Sequence, residues 1–153
     1  MKLSTRARVH VPRSPEQVFD VAVRELPALL QKYGPIPGVE HIEMLEGAKP
    51  VTGARRRVTM TDRSVIEEEI LELTRPRRHN YRWLNRPKFP FSLIVKTAEA
   101  DWIFSPESGG TTVEWTYTFT LTTPLMWPQA RLAVALFKRW MQKALDRLRD
   151  NHP

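Results

Sequence analysis

Cysteine is absent from the 153 residues, which excludes disulfides, thiolate metal sites and a cysteine nucleophile. No apolar run approaches the length of about 18 residues that a membrane-spanning helix needs, so none is expected. The first residues, MKLSTRARVHV, alternate in polarity and lack the apolar core of a secretion signal, which makes a cytoplasmic protein the default expectation. The four histidines, His10, His41, His79 and His152, share no ligand spacing such as H-x-x-x-H. Neither a metal nor another cofactor is therefore expected. A G-x-S-x-G elbow, a phosphate-binding loop and a dinucleotide fingerprint are all missing, and Gly109-Gly110 reads as a hairpin turn.

What is present is ordinary in bulk: 41% hydrophobic and 27% charged residues, in a length that fits one domain over 1–153 with a proper core. The formal charge of +7 raises the question of nucleic acid. The basic residues are spread over several elements, however, from Arg55–Arg57 through Arg75, Arg77, Arg78, Arg82, Arg86 and Lys88 to the C-terminal Arg131, Lys138, Arg139, Lys143, Arg147 and Arg149. No nucleic-acid motif accompanies them. A solvated basic face is the plain reading, weak contact with an anionic membrane or attraction to an acidic partner is the alternative, and the oligomeric state is left open.

The strongest pattern lies in residues 111–148. Val113, Trp115, Tyr117, Phe119 and Leu121 alternate with mostly threonine, the mark of a half-buried antiparallel strand. From about Leu125 to Arg149 the period becomes helical, with Ala130, Ala133, Val134, Phe137, Trp140, Met141, Ala144, Leu145 and Leu148 three and four apart. Some 25 residues give a helix of roughly 37 Å, enough to cross a small domain. Upstream, Leu3–Val11 reads as a first strand, and Ser14-Pro15-Glu16-Gln17 as a capped helix start. Pro27 begins a second short helix expected to end near Tyr33-Gly34, before the rigid loop Gly34–Gly38. Strands are then expected over Val39–Leu45, Ala54–Thr61, Val65–Leu73, Asn80–Leu84, Lys96–Ser105 and Thr111–Thr122. The expectation is an α+β protein with a seven-stranded antiparallel sheet, two short helices between strands 1 and 2, and one long C-terminal helix.

Parity places one strand face inward. Beside Trp115, Tyr117 and Phe119 it sets Ala98, Ala100 and Trp102 on the preceding strand, then Tyr81 and Trp83 on the one before. The two alanines leave room, so a cavity for a small hydrophobic molecule is expected there. Val134, Phe137 and Met141 would close it from the helix. The turn Asp62-Arg63, the loop Asn85–Val95 and the lead-in Thr123–Pro128 should share one end of the sheet. Phe89, Phe91 and Trp127 in these connections would form a lid, a plug of the sheet's end, or a membrane-touching tip.

Glu67-Glu68-Glu69 interrupt an apolar strand. Facing Ile66 and Ile70 inward buries only Glu68, whereas the opposite choice buries two acids, so Glu68 points inside. A buried carboxylate needs a partner, and Arg56, on a face with Val58 and Met60, is the best candidate. The pair would fix strand register, or anchor the polar end of a ligand, or supply Glu68 as a general acid or base. Arg82 and Asn85 are further candidate polar contacts.

The stretches VHVPRSPEQVFD, GARRRVTMTDRSVIEEEILELTRPRRHNYRW and ADWIFSPESGGTTVEWTYTF resemble the START-like, or Bet v 1-like (SRPBCC), superfamily. The last two most resemble its bacterial polyketide cyclase/dehydrase-like branch and, more distantly, the plant abscisic-acid receptors. The resemblance implies a helix-grip fold, a curved sheet wrapped around the C-terminal helix with a ligand cavity between. It also implies a cavity-facing glutamate at Glu68 and a ligand entrance beside the Asn85–Val95 loop. Carriage of a lipid, isoprenoid or polyketide-like compound is the expected function, with a polyketide cyclase or dehydratase as the alternative.

Overall fold

The computed structural model describes residues 1–47 and 49–150, so His152 lies outside the described residues. The chain runs β1 (Lys2–Val11), α1 (Pro15–Arg24), α2 (Leu26–Leu29), β2 (Val39–Met44), β3 (Arg55–Met60), β4 (Val65–Thr74), β5 (Arg78–Trp83), β6 (Val95–Glu107), β7 (Gly110–Leu121) and α3 (Trp127–Asp150). The strands form one antiparallel sheet in the order β1-β7-β6-β5-β4-β3-β2. This is the expected α+β helix-grip architecture. Register shifts at Val39/His41, Ile70/Glu72 and Val95/Thr97 mark bulges, which bend a sheet locally.

Local chemistry accounts for the elements. Ser14 caps α1 as a full capping box: its hydroxyl accepts from the Gln17 N–H, and Gln17 Oε1 accepts from the Ser14 N–H. The buried side of α1 is Val18, Phe19 and Ala22, with Phe19 edge-on to Phe104 at 5.1 Å. α2 is shorter than its sequence suggested. α3 binds the carbonyl of α2's last residue and one just beyond it: Arg147 donates to Leu29 O and Trp140 Nε1 to Gln31 O, each at 2.8 Å. Gly38 then returns the chain against Leu30, where a Cβ would lie 2.7 Å from the Leu30 carbonyl oxygen.

The alternation in β7 is realised, with Val113, Trp115, Tyr117, Phe119 and Leu121 all buried. α3 lays its apolar stripe over them. Phe137 stands edge-on to Tyr117 and Phe119 at 4.9 and 5.0 Å, and Trp140 meets Trp115 at 5.7 Å. Such aromatic pairs add about 0.5–1.5 kcal/mol each beyond their buried area. The outer face of the sheet is instead charged, with Arg57 between Glu43 and Glu67 and Arg78 on Asp101 and Glu72.

Candidate ligand cavity

A cavity of about 450 Å³ lies between α2 and the loop after it, the inner faces of β2–β5, and α3. Its walls are apolar: Leu26, Leu30, Ile36, Val39 and Ile42 on one side, Val58, Met60, Ile66 and Trp83 on the sheet, and Ala133, Leu136, Phe137 and Trp140 on the helix. Polar groups sit at its two ends. Asp62, Ser64 and Lys88 border the mouth, while Arg56, Glu68, Tyr81 and Tyr117 form the floor. Met60 lies four residue steps along β3 from Arg56, a depth of roughly 13 Å at strand rise.

The floor is built by register. Arg56 and Glu68 face each other directly across β3 and β4, and Arg56 Nε donates to Glu68 Oε1 at 2.8 Å. Both side chains are buried, 3% and 8% exposed. Burial pushes the Glu68 carboxyl above its ordinary range, and Arg56 opposes that shift without cancelling it. Arg56 Nη1 lies 3.2 Å from His79 Nε2. A guanidinium only donates, so Nε2 accepts and the imidazole is neutral. Burial first, then the Arg56 charge, holds His79 well below its usual pKa. The guanidinium carbon also sits 4.6 Å from the centre of the Tyr81 ring, a cation–π contact.

Both floor tyrosines are hydroxyls rather than phenolates at neutral pH. Burial, with Glu68 nearby, pushes Tyr81 up to about 12, and burial with Tyr81 beside it raises Tyr117 well above its ordinary value. Tyr81 also accepts a 3.3 Å hydrogen bond from Trp102 Nε1. Among the described residues, two buried side-chain nitrogens have no partner: Arg56 Nη2 and Trp115 Nε1. The second sits in the aromatic core. The first is in the floor, so the floor has a donor in excess and lacks an acceptor.

At the mouth the three connections do meet. Thr122 N donates to Ile94 O at 3.0 Å and its hydroxyl to Leu93 O at 2.6 Å, while Lys88 Nζ reaches Asp62 at 3.9 Å. Phe91 turns in, edge-on to Phe119 at 6.1 Å, and Phe89 borders the cavity while remaining 70% exposed.

The structure thus brings Arg56, Val58, Met60, Glu68, Tyr81, Trp83, Tyr117 and Phe137 together around the cavity, with Phe89 and Phe91 at its mouth. Other expected lining residues are corrected to core. Ala98, Ala100, Trp102, Trp115, Phe119, Val134 and Met141 are buried but do not border the cavity. The alanines make room for neighbouring rings, not for a ligand. Ala100 is paired with both Tyr81 and Tyr117, whose rings close over it to 6.4 Å. Ala98 is paired with Phe119, which meets Trp83 at 6.1 Å. Trp102 and Trp115 stack on each other at 4.3 Å deeper in the core. Trp127 is not part of the mouth lining; it lies on the surface under Arg131, 4.9 Å away.

Arg82 and Asn85 are also structural. Arg82 pairs with Glu69 on the outer face, and Asn85 ties β5's end to Val65 and Glu67 of β4. Sequence reading missed His79, although the parity of Tyr81 and Trp83 extends to it. It also missed the wall made by α2, Ile36 and β2, whose signal was an apolar isoleucine within a proline-rich loop.

The sequence matches, over residues 2–152, the family described as polyketide cyclase / dehydrase and lipid transport. No curated protein matches it. Among solved structures, the protein TTHA0849 from Thermus thermophilus is 25% identical with a TM-score of 0.65, covering 97% of this chain and 95% of that one. Major latex-like protein 151 from Panax ginseng is 8% identical at TM-score 0.70, covering 99% and 97%. The di-domain ARO/CYC StfQ of the steffimycin biosynthetic pathway is 14% identical at TM-score 0.71, covering 97% of this chain and 50% of that one. The last two likenesses are of fold.

Proposed function

The chain belongs to the polyketide cyclase/dehydrase and lipid transport family, and from that premise we propose that it binds one small, largely apolar molecule carrying a hydrogen-bond-accepting oxygen group. The apolar body occupies the walls between β3 and α3, and the oxygen group sits at the floor on Arg56. The observation that carries this reading is Arg56, a buried guanidinium whose Nη2 has no partner, among the residues that form the polar floor of a cavity with apolar walls. A buried donor without an acceptor is costly, and a ligand oxygen would relieve it. The Tyr81 and Tyr117 hydroxyls add neutral donors around the same point. The volume suits a compact ring system or a short chain.

A pair of fluorescent probes tests the proposal. Anilinonaphthalene sulfonate and N-phenyl-1-naphthylamine share an aromatic skeleton, and only the first carries an anionic oxygen group. Both should bind one-to-one and saturably, the sulfonate tighter by roughly tenfold or more, as a hydrogen bond to a charged group allows. Equal affinities would remove the anchor on Arg56. Absence of saturable binding by either would remove the ligand cavity.

A further inference from the structure

The mouth of the cavity has an outer surface that ligand binding does not use. Phe89 and Leu93 on the β5–β6 connection are 70% and 55% exposed, and Leu125 and Trp127 after β7 are 85% and 39% exposed. A single exposed apolar side chain is unremarkable. Here four large ones protrude from two connections that the Thr122 hydrogen bonds to Leu93 and Ile94 hold side by side. Charge is distributed just as unevenly. Residues 84–98 contain Arg86, Lys88 and Lys96 and no acid, and residues 121–145 contain Arg131 at the start of α3 and no acid. Asp62 in the neighbouring turn is already engaged by Lys88.

We propose that this end of the protein docks on an anionic lipid bilayer, with Phe89, Leu93, Leu125 and Trp127 entering the headgroup boundary and the surrounding basic side chains meeting the anionic headgroups. A bilayer presents an apolar layer beneath a negatively charged one, which is the order of apolar tips and flanking cations found here. Among the described residues no helix is long and apolar enough to cross a membrane, so the contact is peripheral. Phe89 and Lys88 border both the cavity and this surface, so docking sets the cavity mouth against the lipid. The docking itself does not depend on the ligand reading above.

Flotation with vesicles decides it. The parent protein should float with mixed phosphatidylcholine–phosphatidylglycerol vesicles at low salt and not with phosphatidylcholine alone. The Leu93→Ser/Leu125→Ser double variant should bind the mixed vesicles roughly tenfold or more weakly, from the apolar area lost. Arg86→Gln and Arg131→Gln should each weaken binding about fivefold. None of these four positions borders the cavity, so all three variant proteins should keep parental affinity for anilinonaphthalene sulfonate, which separates failure of docking from failure of ligand binding. Three results overturn the proposal. The parent could fail to float at low salt. The double leucine variant could float like the parent, leaving only charge attraction. Sedimentation could show a parental dimer split by Leu125→Ser, which would give the patch to a second copy of the chain.

Discussion

Replacing His79 with glutamine should flatten the acid limb of the stability curve. Gln Oε1 can take the Arg56 hydrogen bond that His79 Nε2 accepts at 3.2 Å, so the floor keeps its geometry while losing its titratable ring. In the unfolded chain His79 titrates near its ordinary value of 6.5, whereas in the fold burial and Arg56 hold it well below. Below 6.5 the unfolded state therefore binds more protons, so the stabilising contribution of His79 is full above that pH and is lost as pH falls. The limiting slope is about 1.4 kcal/mol per pH unit. With the folded ring still neutral, the loss between about pH 7 and about pH 5 integrates to about 2 kcal/mol. Glu68 acts in the opposite sense. Its raised folded pKa gives a contribution that is greatest below 4.5 and is lost as pH rises through the folded value. That slope is common to parent and variant and cancels in their difference. Urea unfolding followed by tryptophan fluorescence across this range measures the difference directly. A parent-minus-variant stability that does not change with pH would refute the neutral, accepting imidazole.

Three further outcomes are expected from the same urea assay and the probe titration. Arg56→Met should cost about 3–5 kcal/mol by stranding Glu68, and Arg56→Met/Glu68→Leu should recover most or all of it. A double variant as unstable as the single one would show that the ion pair is not the source of the loss. Ala133→Trp, which points an indole into the cavity, should lower the affinity for anilinonaphthalene sulfonate roughly tenfold or more with little change in stability. Ala100→Trp should instead destabilise by about 1–3 kcal/mol or more through overpacking between Tyr81 and Tyr117. Parental stability in that variant would contradict the assignment of Ala100 to core.

Strand parity and helix period carried most of the architecture, because burial on one face leaves a period that survives in sequence. They also placed the Arg56–Glu68 pair, since one buried acid is cheaper than two and β3 was the adjoining strand with a basic residue on its apolar face. Parity gives the face of a residue but not whether the space above it is filled. Ala98 and Ala100 read as room for a ligand, yet their cross-strand neighbours are aromatic and lean over them. The second cavity wall was hidden for another reason. Leu26, Leu30 and Ile36 lie in a helix of four residues and a loop, where no period is long enough to mark a buried side. Trp127 does not line the cavity, because apolar composition near a mouth does not reveal direction; its ring lies on the surface under the Arg131 guanidinium.

The order of the sheet sets a constraint on how the chain assembles. Among the described residues β1 pairs only with β7, from Lys2 against Thr120 to Val11 against Thr111. Within this sheet β1 therefore waits for the six strands that follow it before it finds its neighbour, while β2 through β7 can pair as successive hairpins. Closing so long a loop carries an entropic cost that local pairing avoids, and it slows folding. During synthesis the apolar side of β1, with Ala7, Val9 and Val11, has no native partner strand until β7 emerges. For that interval it is the segment most in need of shielding from other chains.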